Sequence, residues 1–326
     1  MKRTGVVLYH GFQNADEVAS YGRAVEAYGY DSLWVTERFG HEEAFSVLGV
    51  LSSVTDRISI GLGVANPYSR HLGMLAMAAV TADRLSGGRF VLGMGRSDRA
   101  VVEDLMGLDY SHSLSDLSEA IKILRSTWGS DESGNARSSP SSWLHTLPIQ
   151  STIPIYMAAI GPMALRLAGQ TADGILLNTY SPIGYVRWAI EQVANGAKSV
   201  GRDPQSIDIA CMIVTRAGQE LEYQQMKSRI CRHLYESGRI SKNFVSDTAL
   251  SLTDLAVIQE LMAVGRMEDA IALVPDKVIE EFYLVGSYRQ CADRVNEYRA
   301  AGVTNPLLLP RLEDLTTTLD GLSKYL

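Results

Sequence analysis

The stretch ISIGLGVANPYSRHLGMLAMAAVTADRLSGGRFVLGM, residues 58–94, reads as one strand–helix–strand unit. Residues 58–64 form an apolar run without polar alternation, the habit of a strand buried on both faces. Residues 72–85 are rich in Leu, Met and Ala at helical spacing. Residues 89–94 (RFVLGM) give a second buried run. Two such strands joined by a helix make a parallel crossover.

The same alternation extends in both directions. Further strand segments are residues 5–9 (GVVLY), 32–36 (SLWVT), 153–159 (IPIYMAA), 174–178 (GILLN), 207–214 (IDIACMIV) and 306–309 (PLLL). A first helix is expected after Asn14, with Glu17 in a capping-box arrangement and Val18, Tyr21, Ala24, Val25 and Tyr28 at helical spacing. Gly29 suits its left-handed end. Helices are also expected over 114–128, 162–171, 182–200, 288–301 and 312–324. Eight strand–helix units predict an α/β fold, a (β/α)8 TIM barrel. Two regions exceed the rhythm. Residues 129–142 (GSDESGNARSSPSS) are polar and turn-rich, and are expected to be a mobile insertion before strand 5. Residues 216–284 are too long for one crossover and predict a helical excursion between strands 7 and 8. Without an internal repeat or a linker, residues 1–326 are expected to form a single barrel domain.

Composition narrows the function classes. Of 326 residues, 46% are hydrophobic and 21% charged, as in ordinary globular chains. Thirty basic against 37 acidic residues leave a net charge of −7, which argues against nucleic acid as partner. Cys211, Cys231 and Cys291 are odd in number and widely spaced, so no disulfide framework is expected and a reducing, cytoplasmic setting is. Neither a signal-peptide apolar stretch nor a membrane-length apolar run is seen, so no membrane role is expected. The six histidines show no HxxxH or HxH spacing, so no metal site is expected.

In such a barrel the loops at the strand C-termini build the active site. After strand 2, Glu37, Arg38, His41 and Glu42 form a titratable cluster. Glu37 or His41 could act as general acid or base if partly desolvated, or the group could be a solvated loop with local ion pairs. After strand 3, Asn66, Tyr68, Ser69, Arg70 and His71 gather, either as ligand contacts or as a proline turn with a helix cap at Ser69. After strand 4 comes GMGRSDRA, residues 93–100, where Gly95 would let backbone approach a ligand, or simply form a turn. Asp98 and Arg99 there could orient a substrate or pair with each other. Neither a Rossmann glycine pattern nor a P-loop is present. After strand 5, Ala159, Ile160, Gly161, Pro162 and Met163 open a helix whose free N–H groups could seat a phosphate.

These blocks, in this order and over nearly the whole chain, resemble the bacterial-luciferase-like barrel family of flavin and deazaflavin enzymes. The resemblance is most specific in ISIGLGVANPYSRH, in residues 85–98 (LSGGRFVLGMGRSD), in residues 154–178 (PIYMAAIGPMALRLAGQTADGILLN) and in residues 286–309. The NPYSRH and GMGRSD blocks look most like the methylenetetrahydromethanopterin reductase branch, which uses coenzyme F420. The resemblance implies a non-prolyl cis peptide at Gly63–Val64 facing the deazaflavin ring. It implies cofactor contacts at Gly63, Val64, Ala65, Asn66, Gly95, Asn178 and residues 159–163. Glu37, Tyr68, His71 and Asp98 become candidate proton donors or substrate holders. The pattern departs in four places. Strand 1 has Val7 where the branch has a glutamate, Leu72 replaces a proline, Met163 a lysine, and Glu37–Arg38 an acid–histidine pair. The missing strand-1 acid points away from a pterin substrate.

The expected activity is hydride transfer between F420 and a C=C or C=N bond of a small organic substrate, in secondary metabolism, by a homodimer. An alternative is an FMN-dependent monooxygenase supplied with reduced FMN by a separate reductase, and a third is a catalytically inert cofactor-binding barrel. Arg38, Arg70, Arg96 and Arg99 are expected to draw an anionic cofactor to the mouth.

Overall fold

A computed structural model describes residues 3–129 and 141–326. Its strands are β1 (Gly5–Leu8), β2 (Ser32–Val35), β3 (Ser59–Ala65), β4 (Phe90–Met94), β5 (Ile155–Ala158), β6 (Gly174–Leu177), β7 (Asp208–Ala217), β8 (Leu284–Gly286) and β9 (Asn305–Leu309). Each of β1 to β7 pairs in parallel with the next, and β9 lies between β7 and β1, closing an eight-stranded barrel. The strand at 306–309 is therefore the eighth of the barrel but the ninth in the chain. Short β8 pairs only with the far end of β7 and escaped the sequence reading.

Helices α1 (Ala15–Ala27), α2 (Ala44–Val54), α3 (Leu72–Leu85), α4 (Ser113–Trp128), α5 (Pro162–Thr171) and α6 (Ile183–Ser199) follow the first six strands. Asn14 caps α1 by accepting from the Glu17 N–H at 2.9 Å, and Gly29 beyond its end has φ +80°. Between β7 and β8 run α7 (Tyr223–Glu236), α8 (Ser241–Val245), α9 (Leu252–Ala263), α10 (Met267–Ala272) and α11 (Asp276–Phe282), the excursion expected over 216–284. Then come α12 (Tyr288–Ala300) and α13 (Leu315–Ser323). Of the insertion expected at 129–142, residues 130–140 lie outside the described residues. Among the described residues, no helix is long and apolar enough to cross a membrane.

Alternate strand residues point into the lumen, where Val7, Trp34, Tyr156, Leu176, Ala210, Met212, Leu307 and Leu309 form a core separate from the one under the helices. Two inward glycines make room for its large rings. A Cβ at Gly61 would fall inside the Trp34 indole, and one at Gly174 would lie 2.7 Å from the Tyr156 ring. The two rings meet at 5.5 Å. At the N-terminal end, Asp208 accepts from Arg3, Thr304 and the Tyr156 hydroxyl. Rings and polar plug together close that end of the barrel, which leaves the C-terminal mouth as the place for a ligand.

Candidate active site

The mouth is shaped first by backbone. The β3–β4 register shifts between Leu62 and Ala65, and the Gly63–Val64 peptide is cis, as the family resemblance implies. Val64 thereby leans onto β4. A Cβ at Gly93 would strike the Leu62 carbonyl oxygen, and one at Gly95 would lie 2.6 Å from Val64 Cγ2. The two glycines of GMG are thus the bed of the β3 bulge. Gly95 is buried and donates its N–H to the Ala65 carbonyl at 2.8 Å. Val64 and Ala158, both half-buried, top the apolar lumen core. The result is an apolar floor, of the kind a planar heterocycle can lie against.

Polar groups stand on the β1–β3 side of this floor. Arg70 bridges the carboxylates of Glu37 and Glu43, and its guanidinium lies 5.2 Å from the Phe45 ring centre. Glu37 is no solvated loop residue: its Oε2 is buried without a hydrogen-bond partner. Burial pushes its carboxyl pKa above the usual range, and outweighs the opposing pull of Arg70. The His10 and His41 rings stack at 3.7 Å. Burial, and then His41 and Arg38, lower the His10 pKa, and its buried Nε2 has no partner. Arg38 donates to the Tyr9 hydroxyl at 2.8 Å.

Other expected site residues are partly committed to holding the loops. Asn66 Oδ1 accepts from the N–H groups of Tyr68 (3.0 Å) and Ser69 (2.9 Å), leaving its amide nitrogen for a ligand. The Tyr68 hydroxyl donates to Asp116 at 2.7 Å. Burial and that carboxylate push the phenol upward. The expected helix cap at Ser69 is corrected: His71 caps α3, its Nδ1 accepting from the Gly73 N–H at 3.1 Å. Nε2 remains to face solvent or ligand. The expected Asp98–Arg99 pair is also corrected, since Arg99 pairs with Glu103 at 2.6 Å, one turn along the π-helical segment Val101–Leu105. Asp98 is exposed, and its charge acts on Glu236 at the end of α7. Asn178 is exposed after β6 and accepts from the Thr179 N–H at 2.8 Å.

At the head of α5, Ala159 and Gly161 are buried and the Ile160 carbonyl accepts from the Tyr185 hydroxyl at 2.9 Å. Gly161 is the N-cap and offers no side-chain acceptor, so the first-turn N–H groups stay open to an anion. Pro162 and Met163 are exposed. This fits a cofactor carrying a phosphate beside a planar ring. The four-arginine expectation needs revision, because Arg70 and Arg99 are neutralised by carboxylates. Among the described residues, the Arg38 and Arg96 guanidiniums hydrogen-bond to hydroxyls, Tyr9 and Ser113, and pair with no carboxylate.

On the other side of the mouth the sequence reading reaches the loop after β6, residues 178–181, but gives a role only to Asn178. Tyr180 follows β6 with φ +61°, a conformation rare for a bulky residue. Its ring lies 5.3 Å from Tyr283 and 5.4 Å from His233 of α7. Arg216 stands near the end of β7, sharing the inward parity of Ala210 and Met212. Continuing that parity beyond residue 214, where the expected strand ended, would have found it.

A family model described as luciferase-like monooxygenase matches residues 2–305. The chain is 28% identical over 299 residues to a 5,10-methylenetetrahydromethanopterin reductase of Methanolobus tindarius, which covers 88% of each chain. Among solved structures, the coenzyme F420-dependent tetrahydromethanopterin reductase from Methanopyrus kandleri matches with TM-score 0.81 at 23% identity, over 99% of this chain and 98% of that one. An F420-dependent secondary alcohol dehydrogenase in complex with an F420–acetone adduct matches with TM-score 0.75 at 17% identity, over 99% and 98%. These two structures share the barrel fold.

Proposed function

Because the chain belongs to the luciferase-like monooxygenase family, we propose that it is a coenzyme F420-dependent oxidoreductase acting on a small organic substrate. The observation that carries this reading is the Val64 bulge, seated on Gly93 and Gly95 above an apolar lumen. When bound, the deazaflavin supplies a hydride donor or acceptor. The chain's own residues bind, orient and exclude water. Val64 and Ala158 would support one side of the ring. Gly63, Ala65, Asn66, Gly95 and Asn178 would border it, and residues 159–163 open α5 so that the first-turn N–H groups after Pro162, which has none, would face its phosphate. Glu37, whose carboxyl pKa is raised by burial, is suited to exchange a proton with the substrate. Tyr68, His71 and Asp98 position the substrate or donate to it.

The preferred substrate carries a C=C or C=N bond and belongs to secondary metabolism rather than being a pterin. Val7, fully buried in the lumen core, supports this, since it offers no carboxylate. The whole chain acts as one barrel in the cytoplasm and pairs with a second copy. An exposed row on α3 supports the pairing: Met74, Met77 and Leu85 are 59%, 47% and 58% exposed. Exposed Trp143, Leu147 and Ile149 run beside it.

Titration with each oxidised cofactor tests the reading. Saturable quenching of F420 fluorescence, with weaker or no response to FMN, is expected. Tight FMN binding with no F420 response would favour the monooxygenase supplied by a separate reductase and would overturn the proposal.

A further inference from the structure

On the far side of the barrel from the Glu37–Arg70–Glu43 bridge, three strands from β2 and four from β3, lies a second group of cations with a different character. Arg216 is half-buried at the end of β7. Its Nη1 donates only to backbone carbonyls, Thr215 at 2.7 Å and Leu309 at 3.5 Å. Arg311 from beyond β9 is offset by Glu222 at 3.3 Å and Glu313 at 3.5 Å. Among the described residues, no carboxylate pairs with Arg216, and none with Arg229 on α7.

The elements around Arg216 converge on one spot. The Tyr283 hydroxyl donates to the Met226 carbonyl on α7 at 3.3 Å, and Arg229 follows Met226 by three residues, one turn along the same face. Tyr180 touches both Tyr283 and His233, the next turn again. The His233 Nε2 is buried without a partner, and burial lowers this imidazole to about 4, so it is neutral at pH 7. The groups acting on Arg216 are Arg311 and Arg229, both cations, and the phenols of Tyr283 and Tyr180. Arg216 and Arg229 carry like charges that no carboxylate pairs among the described residues, so they repel one another, and a bound anion removes that repulsion. A guanidinium with free N–H groups is suited to grip a planar carboxylate or a phosphate.

We propose that Arg216 and Arg229 form the seat for an anionic group, a carboxylate or phosphate, carried by the organic substrate. This rests on the reading of the mouth as an active site. The uncapped head of α5 would leave the cofactor's own phosphate on a different side of the mouth.

Inorganic phosphate is the probe. The melting midpoint of the cofactor-free protein is followed against phosphate at constant ionic strength, and F420 quenching is repeated with phosphate saturating. The expected result is a saturable rise whose half-point weakens about tenfold or more in Arg216→Gln, with the effect of phosphate on F420 affinity unchanged by that substitution. Arg229 is exposed, so Arg229→Gln keeps the test valid if loss of the Arg216–Leu309 bond prevents folding, and it too should weaken the response. An unsaturable rise, or the same half-point in both variants, overturns the seat. Displacement of F420 by phosphate in the wild type but not in Arg216→Gln assigns the arginines to the cofactor tail and overturns the substrate assignment. Phosphate binding through Arg216 in a chain that never binds F420 keeps the seat and refutes the cofactor reading instead.

Discussion

Val64 stands where Gly93 and Gly95 carry no side chain, and each residue explains the others. From sequence the two glycines were ambiguous between a ligand-approach loop and a turn. Their reason lies 29 and 31 positions away in the chain, in the β3 bulge. Gly95→Ala should destabilise the protein by about 1–3 kcal/mol through overpacking, and weaken F420 binding by displacing Val64. Adding Val64→Ala should restore much of the stability but little of the affinity, because the floor is then lowered. Chemical denaturation together with cofactor titration checks both. An unchanged double-mutant cycle would separate the glycine from the bulge. Glu37 teaches the same lesson. Its residue type was visible as a candidate acid, but its partner Arg70 and its burial come from packing between two loops. The arginines show the limit most clearly, because charge counts by position without showing which charges are already paired.

At the scale of elements, the strands and barrel helices were legible because each is buried on a defined face. Apolar runs marked the eight barrel strands, and Asn14 and Gly29 marked the limits of α1. Short β8 was not legible, since three residues paired only to the tail of β7 carry too little pattern. The helices between β7 and β8 were visible as helices, but not their placement over Tyr180 and Arg216, which depends on single contacts such as Tyr283 to Met226. On α3, the outward row of Met74, Met77 and Leu85 is unexplained by the barrel core. Met74→Glu with Met77→Glu should convert a dimer to a monomer in sedimentation velocity, because two charges would be buried in the interface. A wild-type protein that sediments as a monomer would remove the pairing.

For the whole molecule, the barrel has a direction. Arg3, Asp208, Tyr156 and Thr304 plug one end, Trp34 and Tyr156 fill the middle, and the bulge, the head of α5 and the α7 side frame the other. The net charge of −7 makes the surface acidic on average. Arg216 and Arg229 keep a local positive field within it, away from the neutralised Arg70. A crystal structure with F420 bound tests the assembly most directly. The deazaflavin ring should lie against the Gly63–Val64 peptide with Val64 in contact, and its phosphate should face the first turn of α5. A ring bound outside the mouth, or one that leaves Val64 untouched, would contradict it.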